Sequence, residues 1–138
     1  MKKTLSFSSE SSSLEIVERF VNNICEFEEV DERFYGNILL ALTEAVNNAI
    51  EHGNSGNREK LVFLDYSKEK EILQFVIKDE GPGFDFKNVP DPTLPENIEK
   101  LTGRGIYLIK QLSDGVEYSE NGSVLSIRFL VGQEVLVD

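Results

Sequence analysis

Most strand-like runs in this 138-residue chain arrive in pairs with very little between them. KLVFLDY (60–66) and EILQFVIKD (71–79) are joined by the four residues SKEK. GVEYSE and SVLSIRFLV flank Asn121-Gly122, a dipeptide suited to a tight hairpin turn. Strands linked so briefly run antiparallel. The segments before them have helical spacing instead. Leu14, Val17, Phe20, Val21, Ile24 and Phe27 predict a helix over 12–28, with SSESSS (8–13) as a turn supplying its N-cap. A second helix is predicted from Asp31, a plausible cap, to His52, with Gly53 at the C′ position that stops it. Thr4–Ser8 alternates, with Leu5 and Phe7 on one face, and predicts a short first strand. Residues 103–113 read as a third helix. The order is β-α-α-β-β-loop-α-β-β. It predicts a two-layer α/β (α+β) sandwich: a mixed, mostly antiparallel sheet with helices on one face.

Length and composition narrow the class. The chain is long enough for one domain with a real core, taken as 1–138. No apolar run reaches bilayer length, and MKKTLSFSSESSSLE lacks the apolar segment of a secretory signal, so a cytoplasmic protein without a membrane anchor is expected. One Cys and one His exclude a His/Cys metal cluster. Cys25, in the apolar stretch FVNNICEF, is expected to be a buried inert thiol. A formal charge of −11 repels phosphate backbones and argues against general nucleic-acid binding. It does not exclude a nucleotide, which is held by local backbone dipoles and a metal ion.

Three segments carry candidate chemistry. On the second helix Ile38, Leu42, Ala45 and Ala49 form an apolar stripe, while Glu44, Asn48 and His52 follow at i, i+4 and i+8 on another. A carboxylate and an amide oxygen are hard ligands or proton acceptors of the kind Mg²⁺–phosphate chemistry uses. Alone, such a stripe is equally well a solvated helix face. DEGPGFD (79–85) follows a strand. Asp79 can accept a hydrogen bond from an amino group such as that of adenine, and Gly81 and Gly83 permit close approach, though a capped Gly/Pro turn has the same composition. Gly103-Arg104-Gly105 opens a helix, where free N–H groups make an anion site and Arg104 offers a bidentate phosphate contact. The loop between the second and third segments, about 84–103, reads as a lid.

The trio, in this order, resembles the N, G1 and G2 boxes of the GHKL ATPase superfamily, which shares the Bergerat ATP-binding fold. The short chain and its strand-helix-helix opening resemble the bacterial anti-sigma factor serine/threonine-protein kinases, the RsbW-like group. The resemblance implies ATP and Mg²⁺ as cofactors. It implies Glu44 as general base, Asn48 as the Mg²⁺ ligand, Asp79 as reader of the adenine amino group, and Gly81 and Gly83 as its glycines. Gly103 and Gly105 would embrace the phosphates. Asn47 and His52 would have supporting roles, and Lys100 and Arg104 are candidates for a γ-phosphate contact. No Thr-Thr-Lys run stands in the lid, and Thr102 is the only threonine beside the G2 glycines. The implied function is a homodimeric regulator that sequesters a sigma factor and phosphorylates a serine of an anti-anti-sigma (STAS-type) protein. The alternatives are an ATP-dependent partner-switching module without kinase activity, or a detached histidine-kinase catalytic domain.

Overall fold

The inward positions of the strands register as continuous apolar rows. In the computed structural model, which describes residues 2–89, 93 and 104–132, these strands are β1 (Lys2–Ser8), β2 (Leu61–Glu69), β3 (Ile72–Lys78), β4 (Gly115–Ser119) and β5 (Val124–Leu130). They form one sheet in the order β1-β2-β3-β5-β4, and all four pairings are antiparallel. One row runs Leu5, Leu64, Ile77, Leu125, Tyr118 across all five strands. The next includes Tyr66, Phe75, Ile127 and Val116. A period of two puts each row on a single face. Phe75 is fully buried, with the rings of Tyr66 and Phe129 at 5.6 and 6.0 Å.

That face is covered by α1 (Leu14–Phe27), α2 (Glu32–Asn48) and α3 (Arg104–Leu112), with α2 packed against both of the others. Val17, Val21 and Ile24 of α1, Ile38, Ala41, Leu42 and Val46 of α2, and Ile109 of α3 complete the core. The expected two-layer architecture and element order are therefore present, and the sheet is wholly antiparallel where a mixed one was expected. Cys25 is buried, and burial pushes its thiol above the usual range, as an inert core thiol requires.

Three local expectations change. Ser13 occupies the N-cap position of α1, yet its hydroxyl donates to Ser8 O (2.8 Å) rather than capping the helix. Phe27 is 59% exposed although Ile24 and Cys25 of the same turn are buried, so it lies to the side of the core-facing stripe of α1. The second helix starts as expected, with Asp31 accepting from Arg33 N at 3.0 Å, but its α-form ends at Asn48. Ala49–Gly53 continue as a π turn, closed by Asn54 N–H to Ala49 O at 2.9 Å. Gly53 is thus inside a helical turn and has no left-handed φ; Ser55 (φ 53°) and Gly56 (φ 67°) take the left-handed positions that release the chain.

Candidate functional site

The last two α-helical turns of α2 place Glu44 and Asn48 one above the other, both half-buried, between the buried Ala45 and Ala49 of the core-facing side. The first turn of α3 comes down on them at Gly105. A Cβ on Gly105 would overlap Glu44 Oε1 and stand 3.0 Å from Asn48 Nδ2. The start of α3 and this polar stripe are therefore in direct contact, which only glycine at 105 permits.

Asp79, immediately after β3, forms the second part. Its N–H donates to Ser123 O at 3.0 Å, and its Oδ1 accepts from Gly81 N at 2.8 Å. Its carboxyl group lies against the Cα of Gly53, where a Cβ would collide with it. Gly81 in turn packs on the carbonyl of Gly53, and a Cβ there would fall on that oxygen. Among the described residues Oδ2 takes no hydrogen bond, so one oxygen is held by protein and the other remains for a donor. Burial raises the Asp79 pKa above the ordinary carboxylate value; the Gly81 N–H and the charge of Lys60 oppose this without cancelling it.

The remaining candidates are distributed as follows. His52 lies in the π turn and is exposed; the wider turn breaks the i+8 register that would align it with Glu44 and Asn48. Gly83 has φ 82° and packs on the backbone of Asn121 in the β4–β5 turn, so its glycine character serves a loop-to-loop contact. Arg104 is exposed at the start of α3. Lys100, Thr102 and Gly103, with most of the lid, lie outside the described residues. Beside the 82–87 loop an open cleft of about 430 Å³ is walled by that loop and residues 119–121; Glu44, Asn48 and Asp79 do not line it. Phe84, Phe86 and Tyr118 cluster there, with ring centroids 5.2 to 6.3 Å apart.

Sequence reasoning passed over two residues of this region. Gly53 has the position of a helix stop in the sequence and is in the fold a close-approach glycine against Asp79. Asn54 was not singled out; it is fully buried and bonds to three separate segments. Its signal was faint: a strongly polar residue directly after a helix end, with no apolar reason to be buried.

The donor set suits a magnesium nucleotide. Mg²⁺ takes one or two protein oxygens and keeps its waters and phosphates, so the Asn48 amide oxygen would suffice to hold it and leave Glu44 as a proton acceptor, and no group of three or more His, Cys, Asp or Glu that could hold a metal occurs among the described residues. Gly53 and Gly81 admit the Asp79 carboxyl group and the backbone beside it at close range, and Gly105 admits Glu44 and Asn48. Comparison with known proteins agrees with this chemistry. The profile of the histidine kinase-like ATPase domain matches residues 7–129.

The chain belongs to that family.

Within the histidine kinase-like ATPase domains, the resemblance to the RsbW-like group is borne out. The anti-sigma F factors of Bacillus cytotoxicus and Bacillus cereus are 36% identical to it over 88 residues. That segment is 62% of this chain and 60% of theirs, so the match spans less than two thirds of those relatives. A solved structure of the RsbU and RsbW domains of Rv1364c from Mycobacterium tuberculosis has the same fold, with a TM-score of 0.65 at 11% identity, over 94% of this chain and 31% of that one. ATP binding follows from the domain family. No helix among the described residues is long and apolar enough to cross a membrane.

Proposed function

We propose that this chain is an ATP-dependent protein serine/threonine kinase of the anti-sigma type. It sequesters a sigma factor and phosphorylates a serine on an anti-anti-sigma protein, as a cytoplasmic homodimer. The observation that carries the catalytic part is Glu44 set beside Asn48 under Gly105, at the start of α3. A pure binding module has no use for a carboxylate in that place.

Each residue then has a task. Asp79 accepts a hydrogen bond from the adenine amino group through its available oxygen. The Asn48 amide oxygen would hold Mg²⁺, which when bound would supply charge neutralisation at the phosphates. Magnesium-ATP supplies the γ-phosphoryl group. Glu44 takes the proton of the acceptor serine as its Oγ forms a bond to the γ-phosphorus and the bond to the β–γ bridging oxygen breaks. Gly53 and Gly81 fix the surroundings of Asp79, and Gly105 sets the start of α3 against Glu44 and Asn48, which supports the reading because phosphoryl transfer depends on positioning and charge neutralisation. The name of the matched Bacillus relatives supports the sigma-factor part of the proposal.

The test is transfer of label from γ-³²P-ATP to a candidate antagonist in the presence of Mg²⁺. Acid-stable label on serine that is lost in Glu44→Ala is the expected outcome. Tight ATP binding with no transfer identifies a partner-switching module instead, and acid-labile label identifies a histidine-directed activity.

A further inference from the structure

Asn54 lies at the crossing of four chain segments, and it has no assigned role. Its side chain is fully buried. Nδ2 donates to Ser9 Oγ at 2.8 Å and to Leu61 O at 3.0 Å; Oδ1 accepts from Glu80 N at 2.7 Å. The Ser9 hydroxyl proton is committed to Lys60 O at 2.7 Å, so only a lone pair of Ser9 faces Asn54. This fixes which way the amide points: two donors meet two acceptors, and the carbonyl oxygen meets the one N–H. Glu80 is gripped a second time, its Oε1 accepting from Leu61 N at 2.6 Å.

The consequences fall on Asp79. Asn54 closes the π turn through its own N–H, and that turn carries Gly53, whose Cα forms one wall of the Asp79 carboxylate. The Asn54 side chain holds the N–H of Glu80, between Asp79 and Gly81. Gly81 supplies the N–H that holds Asp79 Oδ1, and it packs on the carbonyl of Gly53. One amide thus locks both walls of the carboxylate relative to each other. We infer that Asn54 is a positioning residue for adenine selection: through Gly53 and Glu80 it sets the direction of Asp79. The inference rests on the nucleotide reading of the site.

The readout is discrimination between ATP and ITP, which differ at the position Asp79 addresses: an amino group in one, a carbonyl in the other. General loosening of the domain weakens both nucleotides alike, whereas turning Asp79 narrows their ratio. Magnesium complexes of ATP and ITP are titrated calorimetrically into the full chain, at a temperature where circular dichroism shows each variant folded. The wild type is expected to prefer ATP by at least about tenfold, since a site built to bond a donor rejects a ligand lacking it. Asn54→Ala is expected to cut that ratio several-fold or more. Ser9→Ala removes one of the three bonds and is expected to narrow it by about two- to threefold, with the fold retained. An unchanged ratio in folded Asn54→Ala, whatever its melting temperature, overturns the inference. If that variant does not fold, Ser9→Ala decides: an unchanged ratio refutes and a narrowed one supports. A wild-type chain that binds ATP and ITP equally refutes the assignment of Asp79 itself, and the inference falls with it.

Discussion

Gly105→Ala separates catalysis from folding, because the added methyl meets a flexible functional side chain and not backbone. Its Cβ would overlap Glu44 Oε1 and lie 3.0 Å from Asn48 Nδ2. Ordinary contact between heavy atoms begins near 3.5 Å, so the Glu44 carboxylate must swing away by about 1 Å. The backbone need not move. Alanine is the better helix former, so the fold loses nothing and gains up to about 1 kcal/mol, less if the first turn of α3 responds weakly. A displacement of about 1 Å at a catalytic group costs on the order of 10²-fold in rate, and the whole contribution of a general base is about 10²–10⁴-fold. Phosphoryl transfer in Gly105→Ala at saturating ATP is therefore expected to fall about 10²-fold, appearing in kcat. Single-turnover transfer of label at saturating ATP, beside a thermal melt, measures both halves. Transfer at the wild-type rate in a variant that melts normally would refute the role of Glu44 and its packing against α3.

Gly36→Ala is the matching control: nothing lies within 4 Å of a Cβ there, so it should raise stability by about 0.5–1 kcal/mol in urea unfolding and leave ATP binding unchanged. Asp79→Asn should abolish ATP binding in calorimetry with the fold intact. ATP affinity of the wild type should fall as pH drops through the Asp79 pKa, which burial raises above its ordinary value. The sign for stability is opposite: the folded state holds that proton more tightly than the unfolded chain, so ionised Asp79 weakens the fold above this pKa, and Asp79→Asn should melt no lower than wild type at pH 7. Burial pushes the Tyr118 phenol up to about 12, so absorbance at alkaline pH should lose a late-titrating phenol in Tyr118→Phe, and the wild type should lose stability as pH rises from about 10 towards that value. Phe75→Ala, at the centre of the inward rows, should cost about 3–5 kcal/mol in chemical unfolding.

What could be read from the sequence was whatever a single element encodes. Paired strands with short links gave the antiparallel pairs, since turn length and alternation are local. Glu44 and Asn48 were legible as a stripe because both fall in regular α-helix. His52 was not, because the change to a π turn occurs between them, and no local spacing announces it. Phe27 belonged to the apolar period of α1 yet is exposed beside the buried Ile24 and Cys25, because which flank of an apolar stripe is covered depends on the elements packed against it. Asn54 and Glu80 are 26 positions apart and meet only through tertiary contact.

The glycines give the clearest case of this division. In the sequence, Gly36, Gly53, Gly56, Gly81 and Gly105 look alike: helix breakers, caps or turn formers. In the fold they differ by what stands where a Cβ would be. Gly36 and Gly56 face open space. Gly53 faces the Asp79 carboxylate, Gly81 faces the Gly53 carbonyl, and Gly105 faces the Glu44 carboxylate and the Asn48 amide. The second group costs backbone entropy on folding, and two of its members stand in helical turns where alanine would fit the backbone better. No core packing explains that cost, because each member faces a polar group and not an apolar one. What the close approaches do is set the turn after α2 against the Asp79 carboxylate and the start of α3 against Glu44 and Asn48, so the segment 44–53 touches both parts of the candidate site although they arise from distant stretches of the chain.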